Sequence, residues 1–282
     1  MRTGKRNRGR ARTKKRRRSA WRSCLRRITV LLLFCGLAAA AALVLPELSA
    51  VQAQGEDQPL QAGVLLSGKK GAQFVVGVDP GHGGIDVGAL GGDLNEADVT
   101  WGTAQALVEL LKQDDRFAVF LTKTQEETLR PSERAAVVRD VSPDLVVSIH
   151  LNSAPTGDAS GFECYPVPPG RPHYEESLRF AQLLAQQFAT DGAALRGEAG
   201  VRYLYYDAYD NKQIVEVSDT TVSQQSSFTL LEESGCPAVL AEEGFITNGG
   251  DMAMYGTEKG CAHAASLYYA AICAWCGVEP HQ

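Results

Sequence analysis

Four short runs in this chain are almost wholly apolar, and each stops at a polar or charged residue: 74–78, 118–122, 145–150 and 238–241. A strand with one wet face alternates polar and apolar side chains. An unbroken apolar run of this length is buried on both faces, as strands of a parallel sheet are. The intervening stretches have helical spacing. After Asn95, placed to cap a helix, Val99, Thr103, Ala106, Leu107, Leu110 and Leu111 recur every three or four residues. Pro131 opens a second helix that carries Ala135, Val138 and Val141. Residues 175–189 align Leu178, Ala181, Leu184, Ala185 and Phe188, and 262–275 form an apolar C-terminal helix. A further strand is expected at 161–165. Strands alternating with helices predict an α/β fold: a single domain with a mostly parallel twisted sheet flanked by helices.

The chain of 282 residues divides unevenly by charge. Residues 1–28 hold 14 of the 28 Lys and Arg and no acid, which leaves 14 basic against 33 acidic groups, a balance of −19, for the rest. So acidic a body excludes nucleic acid as a partner, since phosphate binding needs a basic footprint. The basic leader runs into residues 28–45, which carry no charge, and then into small and polar residues with Val51 and Ala53 before Gln54. Basic, apolar and small-residue parts in that order are those of an export signal. Eighteen apolar residues also just suffice to span a bilayer. Residues 1–53 are therefore expected to be a cleaved signal peptide or a retained anchor that contacts the membrane through 28–45. The positive flank stays inside and the body is exported to the periplasm or cell envelope. Residues 54–73 are expected to be a linker and 74–276 the organised domain.

Between 191 and 227 the pattern is weak. The stretch holds Arg202, Tyr203, Tyr205, Tyr206 and Tyr209, and reads as long surface loops. Five cysteines, Cys164, Cys236, Cys261, Cys273 and Cys276, lie in the body. An oxidising compartment allows one or two bridges among them. Cys273 and Cys276 have the spacing of half a zinc site or a redox pair, but they lie in an apolar helix with no second such pair, and buried or locally paired cysteines are the plainer reading.

Polar groups at the ends of buried strands carry the chemistry, because ligands bind at the carboxyl ends of strands in open α/β sheets. Asp79-Pro80-Gly81-His82-Gly83-Gly84 follows the first strand, Ser148-Ile149-His150-Leu151-Asn152 ends the third, and Glu242-Glu243-Gly244-Phe245 closes the 238–241 run. Glu96 opens the first long helix, where an acid is also favoured by the helix dipole alone. Two histidines, a carboxylate and an open fourth position make a catalytic zinc arrangement, and a further carboxylate would work the bound water. His173, His263 and His281 read as surface or packing residues.

Asp79-Pro80-Gly81-His82-Gly83-Gly84-Ile85-Asp86, with Gly88 and Ala89, resembles the opening motif of the zinc-dependent N-acetylmuramoyl-L-alanine amidases that cleave bacterial peptidoglycan. Ser148-Ile149-His150, with Asn152 and Ser153, resembles their second metal motif. Pro237-Ala238-Val239-Leu240, with Glu242, Gly244, Phe245 and Asn248, resembles their catalytic-glutamate motif. Leu121, Thr122, Leu129 and Arg134 fall as in the family's middle segment. The resemblance implies that His82, Glu96 and His150 bind Zn2+ and that Glu242 rather than Glu243 is the general base. It also implies that the substrate is peptidoglycan, cut between N-acetylmuramic acid and L-alanine. Asp79, Asn152 and Arg134 are expected to orient ligands or touch substrate. Lys123 and Glu232 stand where the family often carries arginine, which puts substrate-tail preference in question. Two alternatives remain open: a wall-binding protein of the same fold without turnover, and a zinc peptidase or deacetylase acting on wall fragments. The sequence does not identify an activator protein.

Overall fold

The computed structural model describes residues 62–66 and 71–281. In chain order the elements are β1 (Phe74–Pro80), β2 (Leu90–Gly91), β3 (Leu94–Asn95), α1 (Glu96–Gln113), β4 (Phe117–Leu121), α2 (Pro131–Val141), β5 (Leu145–Asn152) and β6 (Glu163–Pro166). They continue with α3 (Tyr174–Thr190), β7 (Arg202–Tyr206), β8 (Lys212–Glu216), α4 (Thr229–Glu233), β9 (Ala238–Phe245), α5 (Gly249–Tyr255) and α6 (Glu258–Cys276). The main sheet has the order β4-β1-β5-β9-β6. The first four strands are parallel, and β6 closes the edge antiparallel to β9. The single α/β domain expected from the alternating apolar runs is the one observed.

Strand alternation decides which helix each side chain meets. Val147, Ile149, Val239 and Ala241 face a large core built with Leu107 and Leu111 of α1, Phe180, Leu184 and Phe188 of α3, and Ala264, Tyr268 and Ile272 of α6. Val146, Ala238 and Leu240 face the smaller core under α2 and α4, with Ala135, Val138, Leu230 and Leu231. Each fully buried aliphatic or aromatic side chain in these layers contributes about 1.5–3 kcal/mol. The same parity continues to the strand ends. His150 and Glu242 belong to the smaller face, whereas Glu243 points into the larger core.

The helix starts match their sequence signals. Asn95 caps α1, its Oδ1 accepting the Asp98 N–H at 2.9 Å. Pro131 sits in the first turn of α2, where Glu133 accepts the Arg130 N–H at 2.8 Å. Two parts of the chain depart from the sequence reading. Within the expected linker, Leu66 and Val119 exchange backbone hydrogen bonds of 2.6 and 2.9 Å, and Gly63 donates to Leu121 at 2.8 Å. Residues 62–66 therefore lie along the outer edge of β4, and Leu66 is buried. Within the expected loops, β7 and β8 pair as a hairpin in which Tyr203, Leu204 and Tyr205 are all buried. Burial of successive residues removes the alternation that would have announced a strand.

All five described cysteines are free thiols, so the allowed bridges are not formed. Among the described residues no helix is long and apolar enough to cross a membrane. The signal or anchor expected at 28–45 lies outside the described residues. Between β5 and α3 no helix intervenes, only β6 and its flanking loops.

Candidate metal centre and active site

The loop after β1, the first turn of α1 and the end of β5 bring three distant residues together. His82 Nε2 lies 3.2 Å from Glu96 Oε2, and His150 Nδ1 lies 3.0 Å from Glu96 Oε1. The donor atoms of these three residues all lie within 4.8 Å of one another, the one such group of His, Cys, Asp or Glu among the described residues. Four ligands about 2.1 Å from a tetrahedral zinc stand about 3.4 Å apart, so the group is close to the span a metal needs.

Glu96 and His82 are each held from outside the group. Glu96 is buried, and its Oε2 and Oε1 accept the backbone N–H groups of Ala89 and Leu151, both at 3.0 Å. Burial works against its charge, but hydrogen bonds from His150 and His82 outweigh it and hold the carboxyl well below the usual range. The His82 Nδ1 lies 2.9 Å from Asp86 Oδ2. Burial lowers the imidazole's proton affinity, and Glu96 and Asp86 more than restore it, so the net shift is upward. A carboxylate on Nδ1 leaves the Nε2 lone pair facing inward, the arrangement that orients a metal-bound histidine.

The backbone makes room for the imidazoles. A Cβ on Gly81 would lie 2.6 Å from the His150 ring, and one on Gly88 would lie 2.8 Å from both His82 Cδ2 and Glu96 Oε2. His82 itself takes left-handed geometry at φ 56°, which costs on the order of 1 kcal/mol for a residue with a side chain. The neighbouring segment over-determines that turn. Thr128 Oγ1 donates to Gly83 O at 3.0 Å and accepts from Ile85 N at 2.9 Å, and Gly84 N donates to Gln125 O at 2.8 Å.

Glu242 stands beside this cluster. It is the register partner of His150 across β5–β9 and of Glu163 across β9–β6, so all three share one sheet face. Its Oε2 is buried and has no hydrogen-bond partner among the described residues. Burial, then the charges of Glu96 and Glu163, push this carboxyl up to about 8, with Lys212 and His82 acting the other way. Glu243 is also buried, but on the opposite face with Thr103 and Tyr268, and it cannot reach the cluster.

Asp79 and Arg134 do not touch the ligands. Asp79 accepts hydrogen bonds from Thr122 and from Ser148 Oγ, the latter at 2.6 Å. Arg134 lies 3.6 Å from Asp79 and donates to the carbonyls of Leu129 at 3.1 Å and Pro80 at 3.2 Å. Together they fix the backbone from which His82 springs. Asn152 donates to Glu163 Oε1, again without reaching a ligand. Glu163 is buried and also binds Arg202 at 2.8 Å.

The sequence reading assigned no role to Asp86, Glu163, Arg202 or Lys212. Asp86 lies four residues after His82, and that spacing was its one local signal. Glu163 and Arg202 are separated by 39 positions, and nothing local announces their pairing.

His82, Glu96, His150 and Glu242 line a cavity of about 620 Å³, with Arg130, Tyr206, Lys212 and Phe228 on its walls. Neither Lys123 nor Glu232 is among its lining residues. Lys123 is buried, donates to Thr124 O at 3.2 Å, and is pushed down to about 8 by burial and then by Arg134. Glu232 binds Arg171 at 3.1 Å. His263 pairs with Asp191 at 2.8 Å on the surface, and His173 stands at the start of α3.

Comparison with known proteins points in one direction. Residues 76–274 match the family described as N-acetylmuramoyl-L-alanine amidase. CwlM, an N-acetylmuramoyl-L-alanine amidase of Bacillus licheniformis, is 29% identical over 177 residues, which cover 62% of this chain and 57% of CwlM. The amidase AmiC of Escherichia coli is 26% identical over 217 residues, 70% of this chain and 50% of AmiC. The solved catalytic domain of CwlV, the amidase from Bacillus (Paenibacillus) polymyxa, is 26% identical, with a TM-score of 0.58 over 73% of this chain and 99% of that domain. The chain thus spans about half of the curated amidases CwlM and AmiC, and nearly all of the CwlV catalytic domain.

Proposed function

Because this chain belongs to the N-acetylmuramoyl-L-alanine amidase family, we propose that it hydrolyses the amide bond between N-acetylmuramic acid and the L-alanine that begins the peptidoglycan stem peptide. The observation that carries the reading is the buried, unpartnered Oε2 of Glu242 beside the convergent donors of His82, Glu96 and His150. A mixed nitrogen and oxygen donor set of two imidazoles and one carboxylate suits Zn2+. His82, Glu96 and His150 would hold the ion, with Asp86 fixing the tautomer of His82. Zinc, when bound, polarises the amide carbonyl and makes a water molecule acidic enough to attack near neutral pH.

The chain's own residues do the rest. Glu242 takes the proton of the attacking water and delivers it to the L-alanine nitrogen as the carbon–nitrogen bond breaks. Its Oε2, buried and without a partner among the described residues on the face it shares with His150, is free to take and return that proton. Asp79, Ser148, Thr122 and Arg134 keep the His82 loop in register with β5. Peptidoglycan as substrate places the work in the cell envelope, in keeping with an export signal or anchor at 28–45.

The test is product identity. Zinc-loaded protein should release from purified peptidoglycan stem peptides with an unblocked L-alanine amino terminus, and leave intact lactyl carboxylates on the glycan, as read by mass spectrometry. New ends at an internal peptide bond or a freed acetate would instead assign peptidase or deacetylase chemistry.

A further inference from the structure

The cavity carries positive charge on side chains that are neither metal ligands nor the group that moves the proton. Three cationic side chains line it: Arg130, Arg134 and Lys212. Arg130 is paired with Glu133 at 3.0 Å, and Arg134 is buried against Asp79 at 3.6 Å. Among the described residues Lys212 makes no ion pair. Its ammonium lies 5.8 Å from the centroid of the Phe228 ring, a contact that orients the side chain without neutralising it.

The surroundings make an unpaired cation here informative. Asp79, Asp86, Glu96 and Glu242 all line the same cavity, and the chain after its leader is strongly acidic. A substrate bearing carboxylates approaches against that field, and a cation on the wall offsets the repulsion locally. Lys212 is the register partner of Tyr206 in the β7–β8 hairpin, and Tyr206 packs edge-on against Phe228. The hairpin is fixed rather than loose. Arg202, at the far end of the hairpin from Lys212, binds Glu163 of β6 and Glu216 of β8, each at 2.8 Å, and at the near end Tyr206 N donates to Ser226 O at 2.8 Å, so both ends of the hairpin that carries the exposed lysine are anchored.

We propose that Lys212 is a specificity-determining residue that binds a carboxylate of the stem peptide downstream of the scissile amide, with Tyr206 and Phe228 as the apolar wall of that subsite. The proposal rests on the amidase reading and adds to it the acidic character of the preferred peptide. It involves no bond making or breaking, only a charge-assisted hydrogen bond between the ammonium and the carboxylate.

The experiment uses two N-acetylmuramoyl-L-alanyl peptides that are identical except that the peptide carboxylates are free in one and amidated in the other. Steady-state kinetics are measured for the zinc-loaded wild type, K212Q and K212R. The wild type should prefer the free acid through a lower KM. K212Q should raise KM for the free acid about tenfold, as expected for loss of one charge-assisted hydrogen bond, and abolish the preference. K212R should keep it.

A wild type that cleaves both peptides equally well overturns the proposal and leaves the amidase reading standing. So does a K212Q protein whose kcat falls by the same factor on both peptides, because that pattern assigns Lys212 to the protonation of Glu242. A wild type that cleaves neither peptide removes the amidase reading itself, and the proposal with it.

Discussion

Glu243→Gln isolates the cost of burying an acid from any role in the site. Glu243 is wholly buried among Thr103, Tyr268 and Cys261, its Oε2 lies 3.3 Å from Thr103 Oγ1, and its Oε1 has no partner among the described residues. Burial pushes its carboxyl up to about 8 from an ordinary 4.5. Below pH 4.5 the folded and unfolded chains both hold the proton. From there to about pH 8 the unfolded chain gives it up while the folded chain keeps it, so stability falls as pH rises, and above pH 8 this contribution levels off. At pH 7 the difference spans about 2.5 pH units, or on the order of 3 kcal/mol. Glutamine keeps the shape and cannot ionise. Glu243→Gln should therefore have nearly the wild-type melting temperature at pH 4.5, and gain on the order of 5 °C or more at pH 7 to 8. Scanning calorimetry across that range is the assay. A melting-temperature difference that stays constant from pH 4.5 to 8 would refute the reasoning.

Other perturbations reach the ligand shell and the core. Asp86→Asn removes the carboxylate behind His82 and should weaken zinc affinity about 10- to 100-fold, as read by competition with a chelator, while the fold survives. Phe188→Ala should destabilise by about 3–5 kcal/mol in denaturant titration, because Phe188 stacks on Phe162 at 4.1 Å and meets Tyr255 and Tyr268.

What could be read from the sequence depended on how local each signal was. The parallel strands were legible because 74–78, 145–150 and 238–241 are too apolar to have a wet face. His82 and His150 were legible because imidazoles at the ends of such runs have little reason to be there except chemistry. Glu96 stood out as an acid opening the first long helix, but its role as a ligand and the choice of Glu242 over Glu243 came from resemblance to the amidases. The structure supplies the physical reason: Glu242 shares the face of His150, and Glu243 lies beneath α1 and α6.

The β7–β8 hairpin was not legible, since Tyr203, Leu204 and Tyr205 are consecutive and all buried, leaving no period to detect. Asp79, Asn152 and Arg134 were expected to orient ligands or touch substrate; all three line the cavity, and their hydrogen bonds tie strand ends and the neighbouring loop together. Residues 62–66 carry no strand pattern and gain their order only from the free edge of β4. The Glu163–Arg202 pair depends on a chain reversal that no window of sequence contains.

The central claim is that Glu242 moves the proton at a site where His82, Glu96 and His150 hold zinc. The most direct measurement pairs metal content with turnover for the wild type and Glu242→Gln on purified peptidoglycan. One zinc per chain in both proteins, with kcat lowered about 10²- to 10⁴-fold in the variant, is the predicted result. Turnover retained by Glu242→Gln at full zinc occupancy would contradict it.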